Sequence, residues 1–200
     1  MKKSFIILTL CVLPFLVQCQ DKKEKDISLL NAPEGWRPEL IPFPLSFAPG
    51  LSYKGLEDIR FAKGWADAKS EQFWAYAFVW YLDEDPKLSE EKLEKDFVVY
   101  FDGLMQAVGK DKGLKPEDIP TTLTLFMKAS EKKGVTSYRG KIQIFDAFFS
   151  QDLVKLNVSM EAYFCKKAQK HVALFYISPK DYDHGIWKEL EKVELSGSCK

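Results

Sequence analysis

The chain is poor in the residues that announce catalysis or metal binding. It has two histidines, His171 and His184, and four cysteines. HExxH, CxxC, EF-hand and G-x-S-x-G patterns are all missing, as is any glycine-rich phosphate loop. Zinc protease chemistry, a nucleophilic triad and nucleotide binding therefore have no support in the sequence. Arginine is confined to Arg37, Arg60 and Arg139, so lysine carries nearly all the positive charge. Basic and acidic residues balance at 29 each, which argues against a nucleic-acid partner, since that calls for a clustered basic surface. No apolar run reaches the roughly 20 residues that span a bilayer. What is present is core material: 46% hydrophobic and 14% aromatic residues in 200, enough for one well-packed domain.

The first 18 residues read as a secretory signal. Lys2 and Lys3 form a basic start, and Phe5 to Val17 is an apolar run interrupted by Thr9 and Pro14. Without Lys2 and Lys3 the remainder has 27 basic against 29 acidic residues, a net charge of −2. Leu16-Val17-Gln18-Cys19 follows. This segment resembles a bacterial lipobox: Leu16 and Cys19 match, and Gln18 stands where a small residue is usual. The resemblance implies acylation of Cys19, a lipid anchor in the bacterial envelope, and a location at the outer membrane or cell surface. The alternative is an ordinary signal with Val17 and Cys19 at the −3 and −1 positions of the cut, giving a secreted or periplasmic protein. The charged stretch Gln20 to Asp26 has no apolar face and reads as a flexible tether over residues 19–31. A charged stretch after the cysteine is similar to the export signal of surface lipoproteins of the Bacteroidetes group. Two or more acyl chains, at about 0.8 kcal/mol per buried methylene, make such an anchor effectively stable.

The leader also sorts the cysteines. Cys11 leaves with it, Cys19 carries lipid, and Cys165 and Cys199 remain as one candidate disulfide in an oxidising compartment. On the chain-entropy model that bridge contributes roughly 3–4 kcal/mol. Two inert thiols are the other reading.

The domain proper is expected over 32–200. Residues 32–50 hold Pro33, Pro38, Pro42, Pro44 and Pro49, which excludes a helix and suggests an extended arm pinned by Trp36, Phe43 and Phe47. Gly55 to Phe61 is a strand candidate, and Glu71 to Asp83 is the strongest one. Trp74, Tyr76, Phe78 and Trp80 line one side of the latter, with Ala75, Ala77 and Val79 on the other. Glu90 to Val108 predicts a helix, with Ser89 as N-cap, Gly109 just past its end, and a stripe of Leu93, Phe97, Tyr100, Phe101, Leu104 and Val108. Its expected seat is the Ala75/Ala77 side. Four strands follow, at Thr122–Ala129, Val135–Phe148, Leu153–Phe164 and His171–Ser178, joined by short polar turns. Within the third, Val154, Leu156, Val158, Met160, Ala162 and Phe164 are expected to face the core, and Cys165 the solvent side. Gly185 to Leu195 is a short closing helix.

The expected fold is α+β: a curved antiparallel sheet of about six to seven strands, one long helix packed on a face, and a short C-terminal helix. A helix followed by such a meander is similar to the cystatin-like and nuclear-transport-factor-like folds, which host binders and enzymes alike.

Few residues suggest chemistry. Asp181-Tyr182-Asp183-His184 is the one local cluster able to ligate a metal, yet Asp181 suits a turn and Asp183 an N-cap, so no metal or other cofactor is expected. Arg60 lies in an apolar segment, where it anchors either a ligand carboxylate or a structural partner such as Glu57. The aromatic row Trp74, Tyr76, Phe78 and Trp80 is either core or one wall of a groove beneath the arm, suited to sugars or an acyl chain. The sequence thus points to a lipid-anchored, non-enzymatic module for a small apolar, glycan or protein partner. Alternatives are an envelope hydrolase using acids near Asp181–His184 or Glu57, and a purely structural protein. The anchor has a direct test. The Cys19→Ala variant is expected to lose both membrane partitioning and uptake of labelled fatty acid; retention of either places the lipid elsewhere.

Overall fold

The computed structural model describes residues 28–197 and residue 199. The leader, Cys19 and the charged segment to Asp26 lie outside the described residues.

Nine strands and two helices follow in chain order among the described residues. They are β1 (Leu30–Asn31), β2 (Arg37–Pro42), β3 (Gly55–Phe61), β4 (Tyr76–Leu82), α1 (Glu90–Asp111), β5 (Leu123–Lys132), β6 (Val135–Phe145), β7 (Leu153–Cys165), β8 (Lys170–Ser178), α2 (Ile186–Leu190) and β9 (Glu194–Leu195). Seven of the strands form one antiparallel sheet in the order β2-β3-β4-β8-β7-β6-β5, which does not close into a barrel. The expected α+β architecture is therefore present. The alternating pattern over residues 123–178 becomes the β5–β8 meander. Its first turn, Lys133-Gly134, has both residues at positive φ (52° and 80°), the two-residue geometry whose twist matches paired strands. Among the described residues no helix is long and apolar enough to cross a membrane.

Two apolar layers sandwich the sheet. α1 buries Leu93, Phe97, Tyr100, Phe101 and Met105 against Phe78, Trp80, Phe175 and Phe126. The stripe that predicts the helix thus makes its contact, but on the aromatic side of β4 rather than the expected Ala75/Ala77 side. Phe78 stacks on Phe175 at 4.6 Å and on Tyr100 at 5.9 Å, so the large rings interleave and fill the layer. The small-residue side is covered instead by α2, through Ile186, Trp187 and Leu190, and by the β1–β9 pair. Alanines there leave space for a short, close element.

Several boundaries differ from the sequence expectation. α1 runs through Gly109, which sits inside the helix where a Cβ would come within 2.7 Å of Ile119. β4 begins at Tyr76, because residues 71–74 form turns and Trp74 takes φ 55°. The proline-rich arm contributes an edge strand, β2, which tolerates Pro38 and Pro42 because an edge leaves one row of N–H positions without a ladder partner. The closing helix stops at Leu190, and Glu194–Leu195 pairs with β1. Asp183 does not cap that helix; Gly185 stands at its N-cap. On β7, Phe164 is 41% exposed rather than in the core, and Cys165 is fully buried in the second layer. The Cys165–Cys199 disulfide forms there, with Cα atoms 4.9 Å apart, so it ties the tail into a core rather than to a solvent face.

The domain also starts earlier than residue 32. Asp58 accepts from the backbone N–H of Leu29 (2.7 Å) and Leu30 (3.1 Å). Arg60 pairs with Asp58 and donates to Leu30 O (3.0 Å) and Ser28 Oγ (2.7 Å). This buried pair is the clamp for β1. Removing one member of such a pair strands the other's charge, at about 3–5 kcal/mol. Arg60→Met is accordingly expected to lower the unfolding free energy by about that amount in urea melts; a loss below about 1 kcal/mol would show that the clamp does not hold the N-terminal strand.

Candidate functional site

α1 does not sit centrally on the sheet. Its acids reach the β5 edge, where Lys128 N donates to Glu90 (2.6 Å), Phe126 N to Glu94 (2.9 Å) and Thr122 N to Asp102 (2.7 Å). Two outward N–H groups of the edge strand, and that of Thr122 just before it, are thereby satisfied by one helix, which hinders pairing at that edge. The helix is drawn to one side by the same contacts. Over β2 and β3, at the other end of the sheet, the cover is the Phe43–Leu51 arm, the 62–75 connection and the 146–152 loop.

These pieces leave a cleft of about 520 Å³, lined by Arg37, Glu39, Ile41, Ser46, Phe47, Ile59, Phe61, Trp65, Trp74, Tyr76, Tyr100, Leu104, Val108 and Phe148. That volume lies in the range of small-molecule sites, and a mostly apolar lining with a few convergent polar groups is their usual composition. Each wall has a local cause. β2 and β3 pair Arg37 with Phe61, Glu39 with Ile59 and Ile41 with Glu57, so the helix-facing side chains form two parallel rows. In the 62–75 connection, Trp74 N donates to Trp65 O (3.1 Å) and the two rings meet at 5.6 Å. The left-handed backbone of Trp74 is an unusual state for so bulky a residue. Phe148 is presented by Asp146, a fully buried carboxylate that accepts from the N–H groups of Phe148, Phe149 and Ser150, each at 3.0 Å. Arg37 is exposed and lies over the rings of Phe61 (4.6 Å) and Trp65 (5.6 Å), a cation–π arrangement.

Beneath one end of the cleft is Glu57, fully buried, with Tyr100 Oη donating to Oε1 at 2.7 Å. Burial pushes the Glu57 carboxyl up to about 8, and the Tyr100 hydroxyl and Trp80 indole pull it partly back. The indole lies alongside, but neither its N–H nor Glu57 Oε2 completes a hydrogen bond. Tyr100 and Tyr76 are raised well above the ordinary phenol value, chiefly by burial and then by Glu57, which keeps both as neutral O–H groups. Glu57 does not itself line the cleft.

The sequence candidates divide clearly. Of the aromatic row, Trp74 and Tyr76 line the cleft, whereas Phe78 and Trp80 are wholly buried in the core and do not reach it. Arg60 lies on the other face of β3, its guanidinium spent on Asp58 and β1 rather than on a ligand. Its partner is Asp58, not Glu57. Asp181 and Asp183 are exposed, and His184 Nε2 lies 3.1 Å from Glu71. No group of three potential metal ligands occurs among the described residues, and Glu71 is the acid that meets this segment, at His184. Trp65, Tyr100, Phe148 and Arg37 were not singled out as site residues from sequence.

No protein-family model, curated protein or solved structure matches the chain. The site therefore speaks only through its own geometry.

The Glu57 shift has a definite consequence for stability. An acid whose value is raised on folding contributes stability that is fully present below its unfolded value and is lost as pH rises through the folded one. For Glu57 that window runs from the ordinary 4.5 to about 8, and its size is on the order of 3–5 kcal/mol. Glu57→Gln, which keeps an acceptor for Tyr100, is expected to flatten the fall in unfolding free energy between those limits. An unchanged pH profile would show that Glu57 titrates normally.

Proposed function

We propose that the chain is a lipid-anchored bacterial envelope protein whose domain binds a small, elongated, mainly apolar ligand in the α1/β2/β3 cleft. The observation that carries this reading is the cleft itself: about 520 Å³ walled by aromatic and aliphatic side chains, with Arg37, Glu39, Ser46 and two tyrosines as its polar points. A glycan would call for a denser set of polar partners than this wall supplies, so an acyl or aromatic molecule suits it better. The anchor half of the proposal rests on Leu16, Cys19 and the charged segment that follows. A binding role is favoured over hydrolysis because Glu57 is sealed beneath Tyr100 and the Asp181–His184 acids face solvent.

Calorimetric titration of the purified chain with decanoate tests the cleft. One-to-one binding is expected, and Leu104→Trp or Val108→Trp, which fill the cleft from half-buried helix positions, should weaken it by at least about tenfold. Equal affinity in both folded variants would place binding elsewhere, and absence of binding in the parent chain would refute an acyl ligand.

A further inference from the structure

The cleft has a chemical direction. At one end β2 and β3 place Arg37 beside Phe61, with Trp65, Trp74 and Phe148 next to them. At the other, Ile41, Phe47 and Tyr100 form an apolar end. Trp65 and Trp74 are 8% and 1% exposed, and neither indole N–H has an acceptor among the described residues. Indole nitrogen is a donor only, so nothing but an acceptor atom satisfies it. Buried donors without partners are uncommon in folded proteins, but Trp80 in the core carries a third, and all three nitrogens are sealed, so the rings rather than their N–H groups form the wall of the cleft. Arg37 beside them forms no ion pair among the described residues; its guanidinium rests on the rings of Phe61 and Trp65.

From this juxtaposition we infer that the ligand is an amphiphile with an acidic oxygen head, of the carboxylate class. Its head engages Arg37 at the Phe61/Trp65 end, and its tail runs along Ile59 toward Ile41 and Phe47. The inference rests on the binding role proposed for the cleft and specifies which ligand that cleft takes. A carboxylate offers two acceptor oxygens, which match the forked donors of a guanidinium and balance its charge. A protonated amine would place a cation beside Arg37. An alcohol supplies a single oxygen and no charge for the guanidinium. Glu39 is the one opposing group: it also lines the cleft, is exposed, and lies two positions along β2 from Arg37. A strand rise of about 3.3 Å per residue sets it roughly 6–7 Å from Arg37, along the tail rather than at the head.

Binding of decanoate, decanol and decylamine to the purified chain separates the possibilities. Decanoate is expected to bind at least about tenfold more tightly than decanol, and decylamine more weakly than both. Arg37→Gln, at an exposed position where folding is not at risk, should remove most of that preference by weakening decanoate far more than decanol. Equal affinity for acid and alcohol, or a preference that survives Arg37→Gln, overturns the acidic head while leaving an apolar binding cleft intact. Failure of all three probes to bind overturns the cleft reading and the acidic head together.

Discussion

A single α-helix is about 10–12 Å across with its side chains, whereas seven strands at about 4.8 Å spacing span roughly 29 Å. One long helix cannot cover one face of such a sheet, and the structure follows from where the helix is placed. Glu90, Glu94 and Asp102 bind it to the N–H groups of the β5 edge, and the aromatic stripe from Phe97 to Phe101 packs over β4 and β8. The β2–β3 end must then be roofed by irregular pieces. Irregular cover carries its own constraints, because loop backbone needs hydrogen-bond partners as much as apolar contacts. The buried Asp146 carboxylate supplies those partners for the 146–152 loop. The cleft is what such a roof leaves open.

The two ends of the sheet handle exposed strand edges by different means. At β5 the helix supplies acceptors, and at β2 prolines interrupt the donors. Both devices discourage edge-to-edge pairing with another chain. On the outer side of β5, Leu123, Leu125 and Met127 remain 55–60% exposed, with the neighbouring N–H groups of Phe126 and Lys128 already bonded to α1 acids. The opposite layer has a different anchoring logic, in which Asp58 and Arg60 fix β1 and the Cys165–Cys199 bridge fixes the tail. Both ends of the described domain are thereby secured on the small-residue side of the sheet, away from the cleft.

Much of this architecture was legible in the sequence, because period-two alternation and the i, i+3, i+4 stripe depend on local burial alone. β3 matches its expected limits, and β6, β7 and β8 fall within a few residues of theirs. The side on which the helix sits was not legible. Both faces of β4 are apolar, and the choice depends on the carboxylate contacts to β5, which are 20 to 38 residues apart in sequence. The same non-local choice explains the fate of the aromatic row. Phe78 and Trp80 lie under the helix, while Trp74 and Tyr76 lie where its cover ends. Arg60 could be recognised as a buried cation, but its true partners, Asp58 and the β1 backbone, required the fold. Trp65 and Phe148 reach the cleft from turns whose geometry no periodicity encodes.

The account stands or falls on whether the Trp65/Trp74 end of the cleft receives a ligand. The most direct measurement follows the five indole N–H signals of the ¹⁵N-tryptophan-labelled chain as decanoate is added. The account predicts that the Trp65 and Trp74 signals shift together, as expected for rings that wall the occupied cleft, while Trp36 and Trp187 in the opposite layer stay in place. Movement of Trp36 or Trp187 alone, or no movement at saturating decanoate, would contradict it.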